Sequence, residues 1–299
     1  GGGCGGGGGG WLRGGCGRPN PVRGGGEGTR DGKGRVRERS REANRLHKAL
    51  EDTGIKLDCV ATDILGKSGR AMLDALIGGT TDPVVLADLA KGRMRAKIPE
   101  LREALEGRFN DLNGLLIGAI LAHLDFLDTQ IDALSDAIEM KLAPFSSAVR
   151  LLRSIPGVQT RTAESVIAEI GTDMTQFPTA KHLASWAGQC PGNHESAGKR
   201  RSGKTRNGSK WLNQTLTDAA MAAIRTNGGY LQGLYRRHKS RLGHARALGA
   251  VKHSMLCAIW HMLSTGELYN DLGADYHARR NPERQTRRLV AQLESLGHS

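Results

Sequence analysis

The residues whose types and spacing could do chemistry crowd between Leu152 and Lys210. One run, Gly198-Lys199-Arg200-Arg201-Ser202-Gly203-Lys204-Thr205, matches the phosphate-loop pattern G-x-x-x-x-G-K-[ST] letter for letter. That pattern cradles a nucleotide only when a buried apolar strand leads into its first glycine and a helix starts at its lysine. Here the preceding residues, Gln189 to Ala197, and the following Arg206-Asn207-Gly208 both read as loop, and no strand ending in an acid is evident to hold Mg2+. Nucleotide hydrolysis is therefore the last of three functional readings. The same residues suit a longer polyanion better, because Lys199, Arg200, Arg201, Lys204, Arg206 and Lys210 place six cations in a stretch without an acid. Gly198, Gly203 and Gly208 would let the backbone come close to a phosphate chain, and about six phosphate contacts would make binding fall steeply with salt. Most basic runs are solvated faces. This one is glycine-spaced, interior to a folded region and bracketed by Trp186 and Trp211.

Two other features share the region. Leu152 to Ile170 reads as a helix, a tight Ile155-Pro156-Gly157-Val158 turn and a second helix from about Thr160. This is helix-hairpin-helix-like, and such a turn aims backbone N–H groups and a helix start at a phosphate, with Gly157 as the contact. Gln159 stands where a second glycine is usual, so the turn serves either phosphate binding or packing. Ser196, taken alone, is a turn or capping residue, because nothing local activates it as a nucleophile. Cys190 and His194 supply two ligands where a structural zinc needs four, and the acids are nowhere concentrated enough for a two-metal site, so no metal is expected.

The elements that must position these groups are mainly α. Residues 1 to 34 hold eighteen glycines and almost no apolar surface. They are expected to stay outside the fold as a disordered Gly/Arg-rich tail or an artefact of the reading frame, since such a stretch cannot offset its ordering entropy. Residues 35 to 145 read as an antiparallel helical arm, partly coiled coil. Leu46, Leu50 and Ile55 share one face, Asp82 and Pro83 open a helix, and Pro99 opens a longer stretch. In that stretch Leu112, Leu116, Ile120, Leu124, Leu127, Ile131, Leu134, Ile138 and Leu142 recur at spacings of three and four, locally weakened by Gly114 and Gly118. The arm's simplest role is scaffolding or homo-oligomerisation. A boundary falls at Ala143-Pro144. Residues 146 to 266 form a compact helical domain, with Ser209 capping a helix striped by Trp211, Leu212, Leu216, Ala219, Ala220, Ala223 and Ile224, and Ala245 to Leu263 forming another. Residues 267 to 299 are a basic helical tail.

A net charge of +13 and a pI near 9.9 point to a polyanionic partner. A membrane is disfavoured because no run of about 18 apolar residues is present. Five scattered cysteines and no signal pattern suit reduced thiols and a cytoplasmic location.

In order along the chain, Ile155 to Ala163 (IPGVQTRTA), Phe177 to Gly188 (FPTAKHLASWAG) and Pro191 to Leu212 (PGNHESAGKRRSGKTRNGSKWL) resemble the C-terminal domain of insertion-sequence-110 type transposases. Gly54 to Leu57, Ser68 to Leu73, Leu86 to Arg93 and Leu272 to Tyr276 extend the resemblance over about residues 35 to 299. It implies a DNA recombinase of a mobile element. In that family an N-terminal RuvC-like domain holds Mg2+ on four acids, a serine attacks DNA, and a structured guide RNA directs target choice. The position matching the serine is Ser196, followed by Ala197-Gly198 where the family often has two glycines. The acidic domain has no counterpart before Arg35, so the resemblance implies an N-terminally truncated transposase that binds nucleic acid but does not recombine it unaided, and that needs no cofactor of its own. A non-enzymatic helix-hairpin-helix DNA-binding protein is the second reading.

Overall fold

The computed structural model describes residues 23–190, 194–196, 199–202, 205, 207–280, 282–295 and 297. Among these the chain is mainly α-helical and divides into two compact units, residues 30–139, and residues 140–299 with the segment ending at Thr29.

The first helix, α1 (Arg23–Glu51), starts well before the expected boundary at Arg35. Residues 23 to 34 are therefore helical, although their glycine content argues for disorder. The physical reason is packing: Gly26 and Thr29 are buried, and a Cβ at Gly26 would lie 3.3 Å from the Ala168 carbonyl oxygen. Missing side chains permit a backbone approach that offsets the poor helix propensity of glycine.

Within residues 30–139, α2 (Leu57–Val60), α3 (Lys67–Ile77), α4 (Pro83–Asp88) and α5 (Ile98–Ala104) pack with α1 and the long α6 (Asp111–Leu142). Leu46, Leu50 and Ile55 are buried as their shared face predicts. Asp82 Oδ1 accepts from the Val84 amide at 2.9 Å and Pro83 opens α4, as the turn chemistry predicts. Pro99, by contrast, opens only the seven residues of α5. The long helix starts later, where Asn110 and Asn113 cap one another: the Asn113 amide donates to Asn110 Oδ1 at 2.9 Å and the Asn110 amide to Asn113 Oδ1 at 3.1 Å. Arg39 pairs with Asp128, and Glu42 with His123 at 2.8 Å, so α1 and α6 run antiparallel here.

The seam of α6 differs from its expected register. Ile120, Leu124, Leu127, Ile138 and Leu142 are buried, but Leu112 is 72% exposed and Leu116 41% exposed, and Ile117 and Leu121 take their place in the core. Gly114 is buried, and both it and Gly118 approach Ile77 of α3, so the glycines mark the packed face where they were expected only to weaken it. The stretch 111–152 is long and apolar enough by length and composition to cross a membrane. An averaged hydropathy tolerates acids that break an uninterrupted run. Ile117, Ile120, Leu121 and Leu124 belong to the core, and Asp125 and Asp128 make ion pairs with Arg70 and Arg39, which is the pattern of a core helix.

Candidate nucleic-acid interface

Residues 140–299 build the site on α7 (Ser146–Leu152), α8 (Thr160–Ile170), α9 (Ala180–Trp186), a two-stranded antiparallel hairpin of β1 (His194–Ser196) and β2 (Lys199–Ser202), α10 (Lys210–Ala223), α11 (Tyr230–Thr265), α12 (Tyr276–Arg279) and α13 (Pro282–Ser295). The helices α7 and α8 flank the Ile155-Pro156-Gly157-Val158 turn. Its Gly157 adopts a φ of +83°, and a Cβ there would lie 2.3 Å from the Ala219 carbonyl oxygen and 2.6 Å from the Ala223 nitrogen. The glycine requirement is thus met by a close approach of this turn to α10, which favours the packing role over the phosphate-binding one. Val158 and Ile155 are buried beside it.

The region read as a loop is partly a β-hairpin. Its register pairs Ser196 with Lys199, Glu195 with Arg200 and His194 with Ser202, with an irregularity between His194 and Glu195. The expectation of a loop failed because three- and four-residue strands are too short to show a period of two, and their lysines and arginines carry little strand propensity. Ser196 ends the first strand and Lys199 begins the second, with Arg200 and Arg201 following along the same strand. Gly198, Lys204 and Arg206 lie outside the described residues. Lys210 is the first residue of α10 and is exposed.

Both feet of this excursion are fixed. Ser209 accepts from the Leu212 amide at 3.2 Å, the predicted cap, and its hydroxyl donates to Glu169 Oε2 of α8 at 2.9 Å. A Cβ on Gly208 would fall 2.2 Å from the Ala187 carbonyl oxygen, so the closeness this glycine permits is to the end of α9. On the other side, Gln189 Nε2 donates to Asn213 Oδ1 at 3.1 Å. The same oxygen accepts from Lys252 Nζ of α11 at 2.8 Å, and Thr217 Oγ1 lies 3.4 Å from that ammonium. Lys252 is half-buried, and burial pushes its ammonium below the usual lysine range. No carboxylate of the described residues pairs with it. Sequence reading missed Lys252, because a single lysine in an apolar helix carries no spacing signal. Among the described residues, the first helix after the phosphate-loop pattern is α10, which starts at Lys210.

The predicted stripe of α10 is buried at Leu212, Leu216, Ala219, Ala220 and Ala223. Trp186, 46% exposed, packs on Phe177 with ring centroids 5.5 Å apart. The helix expected from Ala245 continues backward to Tyr230 through a kink at Gly243, and the tail helix starts at Pro282 after α12. His253 is half-buried and His261 exposed. Cys257 Sγ lies 3.8 Å from His253 Nδ1, and burial, then the neighbouring Cys190, raises the Cys257 thiol. Among the described residues no three His, Cys, Asp or Glu side chains converge on a metal position.

This arrangement defines a helical domain that holds a short basic hairpin by both feet. Residues 149–236 match the model of the transposase IS116/IS110/IS902 family. The chain is 33% identical over 146 residues to the Streptomyces coelicolor protein named "Insertion element IS110 uncharacterized 43.6 kDa protein", covering 48% of this chain and 33% of that one. It is 26% identical over 164 residues to the Pseudomonas aeruginosa "Probable family 20 transposase", covering 52% of this chain and 47% of that one. The chain therefore spans between a third and a half of the length of these relatives.

Proposed function

We propose that this chain binds DNA as the serine-bearing part of an insertion-element transposase, with Ser196 as the nucleophile. The observation that carries the reading is the hairpin register, which sets Ser196 opposite Lys199 at the head of the acid-free basic strand, inside the family-matched segment. A nucleophile for phosphodiester exchange needs cations beside it to hold the phosphate and offset the charge that develops there. In the step proposed, the serine oxygen bonds to phosphorus and a deoxyribose hydroxyl leaves with a proton. Attack of a DNA hydroxyl on the phosphoserine ester then breaks the serine O–P bond, returns the proton to the serine oxygen and restores a DNA phosphodiester, so the bond energy is retained and no nucleotide is consumed. No step is routed through a metal. Lys199, Arg200, Arg201, Lys204, Arg206 and Lys210 hold DNA, and a structured guide RNA would compete for the same cations. The outer apolar face of α6, where Leu112 and Leu115 are 72% and 73% exposed, takes a second copy of the chain.

The test is incubation of residues 1–299 with duplex oligonucleotides and Mg2+, read on native and denaturing gels. The expected result is a salt-sensitive complex that is unchanged by Ser196→Ala and shows no strand cleavage by this polypeptide alone. Absence of a complex would refute DNA binding. Robust cleavage lost in Ser196→Ala would support the nucleophile and refute inactivity of the isolated chain.

A further inference from the structure

Beyond the hairpin, the sequence from Ala219 to Gly266 holds no aspartate or glutamate, although about one residue in ten of the whole chain is acidic. Five of its seven cations fall between residues 236 and 246. Arg236, Arg237, Lys239, Arg241 and Arg246 are all exposed on α11, and none of them has a carboxylate within ion-pair distance among the described residues. The family-matched segment ends at residue 236, where this cluster begins.

A helix does not tolerate such a cluster for its own sake. Arg237 and Arg241 are spaced i,i+4 and Arg236 and Lys239 i,i+3, and like charges at those spacings each destabilise a helix by about 0.2–0.5 kcal/mol. No acid on α11 relieves them. The His238 imidazole, between these cations, is held below the usual histidine range by burial and then by Arg237 and Arg241, so the segment is set against further positive charge. What it lacks is an anion.

The backbone at this point is also shaped. Gly243 has φ +76° and ψ 173° inside the helix, a conformation open to glycine, and no heavy atom lies within 4 Å of where its Cβ would be. The kink is held by a hydrogen bond between the Tyr235 hydroxyl and His244 Nδ1 at 2.7 Å, and Lys239 Nζ sits 5.7 Å from the Tyr235 ring centroid. The bend places Arg246 on a different helix axis from the four cations before it. A surface with cations on two axes suits an extended line of charge better than a single anion.

We infer that the exposed cations Arg236, Arg237, Lys239, Arg241 and Arg246 around the Gly243 kink form a second, sequence-independent DNA-backbone surface, separate from the hairpin. The inference rests on the reading that the domain binds DNA. Phosphates supply the absent counter-charge, and the released counterions supply a salt-dependent driving force.

The test measures binding of a fluorescent duplex by the full chain over a range of salt concentrations. It compares the parent chain with a fourfold glutamine variant, R236Q/R237Q/K239Q/R241Q, and with a charge-preserving variant, R236K/R237K/R241K. Losing a phosphate contact lowers the slope of log K against log salt by about 0.9, so the glutamine variant should lose about 2 to 4 in slope and at least roughly tenfold in affinity at low salt. The lysine variant should keep the parent slope, an outcome that a purely structural role for these side chains would not give. An unchanged slope in the glutamine variant, with its circular dichroism and melting intact, would overturn the second surface while leaving the hairpin reading standing. If the parent chain does not bind duplex DNA, the functional reading itself fails. Binding to anionic vesicles in place of DNA would also overturn the inference.

Discussion

Ser196, Lys199 and Gly157 show how differently single residues can be read. The identity of Ser196 as a candidate came from resemblance, because a serine in a polar loop reads on its own as a turn or capping residue. Its partner did not come from sequence at all: the pairing with Lys199 follows from a hairpin whose strands are too short to leave a pattern. Gly157 was legible as a turn glycine, but the choice between phosphate and packing needed the position of α10. Its positive φ and the 2.3 Å approach to Ala219 both oppose a side chain. Gly157→Ala is therefore expected to destabilise the chain by about 2–4 kcal/mol, the range for backbone strain combined with overpacking. Thermal unfolding followed by circular dichroism reads this, and an unchanged melting temperature would show that α10 moves away freely.

At the scale of elements, capping chemistry carried far. Asp82 with Pro83 and Ser209 each open a helix where their types predict, because a side-chain acceptor at that position satisfies an amide that the helix leaves free. Periodicity was less decisive in α6. A stripe spaced by three and four fits two adjacent faces of a long helix, and the sequence does not say that Ile117 and Leu121 enter the core while Gly114 and Gly118 approach Ile77. The face left over holds Leu112, Leu115, Leu116 and Phe126, all exposed. If a second copy covers it, a charge at its centre should break the assembly. Leu115→Glu is expected to shift the chain toward monomer in sedimentation velocity at micromolar concentration with its helicity retained. A parent chain that is already monomeric under those conditions would refute self-association through α6.

Over the whole molecule, fold class was legible because helical patterning dominates the chain. Composition alone misjudges residues 23–34, since it does not reveal that α8 accepts a bare backbone beside Gly26, and residues 1–22 of the expected tail lie outside the described residues. The excess positive charge had a visible destination in the hairpin run, whereas the acid-free reach of α11 was also readable and went unread because it lies spread over 48 residues without a motif. The central claim is that the hairpin cations hold DNA. It is tested most directly by the salt dependence of duplex binding for K199Q/R200Q/R201Q against the parent chain, measured by fluorescence anisotropy. The slope of log K against log salt is expected to fall by about 2 to 3, with affinity weakened similarly for unrelated sequences. A variant that binds with the parent slope and affinity would contradict it.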